Sequence, residues 1–417
     1  MTFTASSAAS GRRPGFTLVE LLVAATLALI VMAALASLFG IFGRAVADSQ
    51  DLVQLGARMR AAAWALRQDL QGATTEVKPF IRPEASAGYF EVVEGPLVES
   101  GTTMVADVDD IVMLTTSNPV QPFSGLISGT LGLESPVAEV AWFCKLGPQA
   151  ADGTQLYNLY RRQLLVVAAP GIGALATSNT TAFTSWDTFF QANDLSVRRE
   201  GTTLVANSLA DLTRRQSRFF HNLTGTANPI VRTTWPQITT TSTVSGMSDI
   251  LTGAREGQDL LLSNVVAFDV RVFDPQQPSG GAYIDLGGGV PSATILSAAV
   301  TLSATGSPPS MSMSPISSTF PANAYKFWDT WSLHTEWNGI GDLVDISAVT
   351  PTQPANLDRS TNWSENNSNG VVDDGGELEQ RPPYTVPLRG VEIRIRCYDP
   401  NSQEYRQITV QHTFLVR

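Results

Sequence analysis

Arg12-Arg13-Pro14-Gly15-Phe16-Thr17-Leu18-Val19-Glu20-Leu21-Leu22 joins a short basic stretch to a long apolar run. The run extends from Phe16 to Phe42, and Glu20 is its only ionisable side chain. About 20 apolar residues suffice to cross a bilayer as a helix, so the segment predicts one membrane span. A carboxylate inside such a span is costly to insert and points to function. Glu20 either meets a cation there or snorkels to the headgroups.

A secretory signal peptide carries its apolar region ahead of the cleavage site, with small residues at the cut. Here the Gly15–Phe16 junction precedes the apolar run, so a cut there leaves the hydrophobic segment on the mature chain. A fresh amino terminus on Phe16 is a cation close to hydrocarbon, and Glu20 lies about one helical turn away. Pairing the two charges, within one chain or between neighbours, offsets the desolvation of each and favours a defined axial stagger. Arg12 and Arg13 precede the run and only Arg44 lies just beyond it. That asymmetry places the amino terminus in the cytoplasm and exports the remainder. An uncleaved signal anchor shares this topology without assembly.

Gly15-Phe16-Thr17-Leu18-Val19-Glu20 resembles the processing and methylation site of type IV prepilins and of the pseudopilins of type II secretion. The resemblance implies cleavage after Gly15 by a membrane-embedded prepilin peptidase and N-methylation of Phe16. Glu20 then becomes the fifth residue of the mature chain, where it governs recruitment of the next subunit. The implied partners are that peptidase, other pilin-like subunits and an inner-membrane assembly platform. The implied location is the bacterial inner membrane, single-pass, with a periplasmic head.

No proline occurs between Pro14 and Pro79, and Ala, Leu, Arg and Gln dominate up to Gly72. These are helix formers, and Leu52, Leu55, Met59, Ala62, Leu66 and Leu70 recur at three- and four-residue steps. One helix is expected, about 85 Å long at about 1.5 Å per residue. Beyond Pro79 the period becomes two. Strands are expected at Asp110–Thr116, Val137–Lys145, Leu156–Val167, Leu260–Phe273, Gly390–Tyr398 and Tyr405–Val416. In the fourth, Val266, Phe268, Val270 and Val272 share a face; Asp399-Pro400-Asn401-Ser402 makes the last two a hairpin. The fold class is therefore α+β, with the long amino-terminal helix packed on a mainly antiparallel sheet. The expected divisions are a leader over 1–15, a transmembrane half-helix over 16–42, a periplasmic half over 43–78 and a β-rich head over 79–417.

Within the pilin superfamily, three stretches look most like a J-type minor pseudopilin. They are Arg67-Gln68-Asp69-Leu70, Leu159-Tyr160-Arg161-Arg162 and Val265-Val266-Ala267-Phe268-Asp269-Val270. Members of that family are shorter, and the excess falls in insertions near 170–258 and 305–388. Phe189, Phe190, Phe219, Phe220 and Trp235 in the first need burial; the second holds Trp328, Trp331, Trp337 and Trp363.

The chain has 417 residues and a net charge of -11, which loss of residues 1–15 with their two arginines moves to -13. Such acidity argues against nucleic acid and against broad docking to anionic lipid. Cys144 and Cys397 are the only cysteines; they form a disulfide in an oxidising periplasm or act as two small buried hydrophobes. Asn369, Asp373, Asp374 and Glu377 lie in a Gly-rich loop whose oxygens suit calcium, and some pseudopilins hold that ion. The bland reading is a solvated acidic turn, and the spacing is not that of an EF-hand. Asp109-Asp110 likewise reads as a turn.

His221, His334 and His412 are the only histidines, and no GxSxG, HExxH or GxxxxGK[ST] pattern occurs. The expectation is a non-enzymatic minor pseudopilin-like subunit of a type II secretion pseudopilus. A minor pilin of a type IV pilus, serving adhesion, motility or DNA uptake, is the alternative. A membrane-anchored envelope hydrolase stands further off.

Overall fold

A run of helix formers uninterrupted by proline makes one helix, α1 (Leu18–Gln71, 54 residues). The computed structural model describes residues 17–77, 85–94, 107–167, 186–200, 203–213, 217–219, 243–244, 247–248, 250–275, 277, 280–286, 326–330 and 387–414. Two compact units divide the chain, Met1–Gln54 and Leu55–Arg417. In the first, Leu18–Gly43 is long and apolar enough to cross a membrane, with side chains such as Leu21, Ile30 and Phe39 exposed.

In the second unit the helix is amphipathic, as its spacing predicts. Met59, Ala62, Ala63, Leu66 and Leu70 are buried, whereas Trp64 between them is exposed. Gly72 ends the helix where it meets a strand. A Cβ there would lie 2.6 Å from the Ser117 carbonyl oxygen and would also strike Thr116 Oγ1, so only glycine permits the approach. Ser117 N in turn donates to Gly72 O at 2.7 Å.

The main sheet has nine strands among the described residues. They are β1 (Phe90–Glu94), β2 (Ile111–Ser117), β5 (Val137–Gln149), β6 (Gln155–Leu165), β11 (Leu260–Asp274), β12 (Ala282–Ile284), β13 (Lys326–Asp329), β14 (Gly390–Asp399) and β15 (Glu404–Thr413). Their order is β13-β1-β2-β5-β6-β11-β14-β15, with β12 beside part of β11, and every pair is antiparallel. Three ribbons complete the set. They are β3 (Phe123–Ile127) with β4 (Leu131–Ser135), β7 (Val197–Glu200) with β8 (Thr203–Ala206), and β9 (Thr243–Val244) with β10 (Met247–Ser248). The closing hairpin is in register from Gly390↔Thr413 to Asp399↔Glu404.

Both faces of the sheet are covered, which is why β1 and most of β2 are buried throughout instead of alternating. On one face Val92, Val112, Val140, Trp142, Leu159, Phe268 and Ile393 share a core with the helix residues. On the other, Ile111, Met113, Phe143 and Leu164 pack with Phe189, Phe190, Leu195, Leu212 and Phe219 of the first insertion. The aromatic residues expected to be buried there are buried; Phe220 and Trp235 lie outside the described residues. Of the four tryptophans in the second insertion, Trp328 is buried on β13 and pairs across the strands with Val92. The other three lie outside the described residues.

Two ionic clasps hold these layers. Asp69 on α1 accepts from Arg161 Nε and Nη2, each at 2.7 Å, and from Trp142 Nε1 at 2.8 Å. On the opposite face Arg162 Nη1 meets Asp194 Oδ1 at 2.7 Å, and Arg255 Nη2 meets Asp194 Oδ2 at 2.6 Å.

Two sequence expectations are corrected. The pairing of β11 with β14 shifts register between Val265 and Ala267. This bulge puts Val265 in the helix-side core and turns Val266 to a separate cluster with Leu156 and Tyr398. Asp109 and Asp110 are not a solvated turn: both are buried, and Asp110 Oδ2 accepts from Val270 N at 2.7 Å.

Candidate functional site

Helix α1 begins beside Thr17, whose hydroxyl accepts from Glu20 N at 3.3 Å. The Glu20 carboxylate reaches back, accepting through Oε2 from Thr17 N at 2.9 Å and Thr17 Oγ1 at 3.0 Å. This reciprocal arrangement is a capping box, which satisfies donors that a helix start leaves open. A carboxylate in the first turn also faces the positive end of the helix dipole. The one ionisable group of the apolar segment is therefore held in place by its own chain. Both bonds fall on Oε2, so neither occupies Oε1. The partner missed in the sequence is Thr17; the Thr-x-x-Glu spacing ahead of an apolar run was the available signal.

Gly15 and Phe16, the expected processing pair, lie outside the described residues. So do Asn369, Asp373, Asp374 and Glu377, the loop suited to calcium.

Cys144 on β5 and Cys397 on β14 are free thiols, both buried in the helix-side core. Burial pushes the Cys397 thiol up to about 12. Burial, and then the nearby Cys397 and Asp110, raise Cys144 well above the ordinary thiol range. The thiolate is the reactive species, so both groups are inert in the native state. Native protein in detergent should resist iodoacetamide at mildly alkaline pH, and two thiols should react after denaturation without reductant. Rapid native labelling, or no labelling of the denatured chain, would contradict this.

His412 packs its ring edge-on against Phe414, with centroids 4.8 Å apart. Its pKa is lowered by burial, as for a structural histidine at the sheet edge.

A family model described as a prokaryotic N-terminal methylation motif matches residues 11–36. No curated protein and no solved structure matches the chain. The matched span contains the Gly15–Phe16 junction, the capping box and the start of the apolar helix. The amino-terminal segment therefore carries a prokaryotic N-terminal methylation motif, which supports a place in the type IV prepilin and pseudopilin superfamily.

Proposed function

We propose that this chain is a non-enzymatic minor subunit of a type II secretion pseudopilus, most like the J-type. It inserts through Leu18–Gly43, is cleaved after Gly15, and is N-methylated on Phe16. Its helix then packs among those of other pilin-like subunits in the inner membrane. The observation that carries the reading is one carboxylate fixed in the first turn of an otherwise apolar helix. Oε2 is held by Thr17, which leaves Oε1 to meet the positive amino terminus of the same or the next subunit. Pairing compensates both charges in a medium that solvates neither. The Asp69–Arg161 clasp joins two of the segments on which the J-type resemblance rests.

Mass spectrometry of the mature amino terminus tests the reading. The expected species begins with N-methylated Phe16, and Gly15→Val should accumulate as the longer precursor. Glu20→Ala should be cleaved yet enter filaments about tenfold less or worse, each factor of ten being about 1.4 kcal/mol of association free energy. Glu20→Gln separates the two roles of the side chain, because glutamine keeps the capping box and loses the charge. Normal assembly of Glu20→Gln would refute the charge-pair mechanism. Co-purification with minor pseudopilins is the expected result. Recovery in sheared surface fibres would instead make the chain a minor pilin of a type IV pilus.

A further inference from the structure

The head contains a group of buried carboxylates apart from the amino-terminal segment. Glu94 ends β1, and Asp107 and Asp110 precede β2; one carboxylate oxygen from each lies within 4.8 Å of the other two. Each of these residues is only 1% exposed. Two of the arms are fixed by main-chain donors: Val270 N to Asp110 Oδ2 at 2.7 Å and Leu286 N to Glu94 Oε2 at 3.2 Å. The third segment is tied by its own main chain, with Phe268 N donating to Asp107 O at 2.7 Å. The site therefore joins the β1–β2 region to β11, although β5 and β6 lie between them in the sheet order.

Gathering three acids out of water is opposed by desolvation and by mutual repulsion. Burial, then Asp110 and Asp109, raise Asp107 far above the carboxylate range. Burial, then Glu94 and Asp109, do the same to Asp110. Asp269 adds to the negative field at both; Arg394 Nη1 stands 3.7 Å from its Oδ2. Such a cluster is stabilised either by protons shared between oxygens or by a cation. The side chain of Asp107 offers a place for the second. Its Oδ1 is buried and makes no hydrogen bond, which leaves one carboxylate oxygen open to a cation, while Asp109 interacts with the same side chain.

We propose that Glu94, Asp107 and Asp110 form a binding site for a hard divalent cation of the calcium class. All three ligand groups are carboxylates, the donors that calcium prefers, with no imidazole or thiolate to select zinc or copper. Magnesium holds several waters in a strict octahedron, which suits this buried, main-chain-anchored set less well. Filling the site cancels the repulsion and ties β1, the approach to β2, and β11 together. This assignment is independent of the filament reading, and it is a different site from the loop at Asn369–Glu377.

The test uses the full chain in detergent, stripped with chelator and titrated with calcium chloride by calorimetry and thermal melting. Saturable binding with a rise in melting temperature is expected, and magnesium should give a smaller rise. Asp107→Asn should weaken calcium binding at least tenfold, while its calcium-free form melts at or above calcium-free wild type, because one repulsive charge is gone. Glu94→Gln is the second variant should Asp107→Asn not fold, and the same weakening is expected of it. Asp373→Asn should leave the response intact. Absence of a calcium response in the stripped wild type would overturn the proposal. So would an equal response in the Asp107 and Glu94 variants, or its loss in Asp373→Asn alone. A melting temperature that rises on acidification and ignores calcium would assign the cluster to shared protons instead.

Discussion

Asp69→Ala should lower the unfolding free energy by about 3–5 kcal/mol, the usual result of removing one partner from a buried ion pair. The Asp69 side chain is 3% exposed and that of Arg161 is 17% exposed. One carboxylate there satisfies both arms of a guanidinium and the indole N–H of fully buried Trp142. Alanine leaves a charge and a donor behind in a low-dielectric layer. Arg161 reaches some solvent, which favours the lower half of that range. Asp69→Asn keeps the shape and one acceptor and should lose about 1–3 kcal/mol. Urea titration of the full chain in detergent, followed by tryptophan fluorescence at unchanged m-value, measures both. A loss below about 1 kcal/mol for alanine would reduce the clasp to an incidental contact.

Arg218→Met is expected to match or exceed that loss, again about 3–5 kcal/mol. The guanidinium is fully buried. Nη1 contacts Glu91 at 2.7 Å and Asp329 at 3.0 Å, while Nε and Nη2 donate to the carbonyls of Leu212 and Thr213 at 2.9 Å. Its plane also lies over the Tyr89 ring, 4.0 Å from the centroid. Burial works against its charge, but Asp329 and Glu91 outweigh burial and hold its pKa above the ordinary value. Methionine fills similar volume and removes the cation, so Glu91 and Asp329 are left facing each other. The pH dependence follows with a definite sign. Two like charges in a buried site raise their folded pKa values above the unfolded ones. Stability from such acids is full below the unfolded pKa and is lost as pH rises through the folded one. The variant should therefore lose more stability at neutral pH than at mildly acidic pH. Adding Glu91→Gln and Asp329→Asn should restore part of the loss, because the uncompensated charges go with them. A uniform loss across pH would refute this electrostatic origin.

The regular elements of the head were legible because their periodicity survived both faces being covered. The alternation of Val391, Ile393, Ile395 and Cys397 places β14 within one residue of its ends. The three- and four-residue spacing of Met59, Ala62, Leu66 and Leu70 gives the buried face of α1. Asp69 and Arg161 stood in segments already singled out, but no spacing along the chain announces that 92 residues close into one ion pair. β1 and β13 were not read, since each is short and fully buried where described and neither alternates. Arg218 and Asp107 were missed for a related reason: a buried charge and a surface charge are the same letter. At the helix start the resemblance drew attention to Gly15, Phe16 and Glu20. The local partner, Thr17, follows from hydrogen-bonding geometry instead.

The strand that completes the far side of β1 comes late. Phe90 exchanges main-chain and side-chain hydrogen bonds with Thr330, 240 residues away. A nascent chain is delivered from its amino terminus, so α1, β2, β5 and β6 can settle while β1 still shows an open row of donors and acceptors. Such a row is a template for foreign strands. The interval between the emergence of residue 94 and residue 329 is therefore when this protein is most exposed to mispairing. A chaperone that shields one edge would serve it best there.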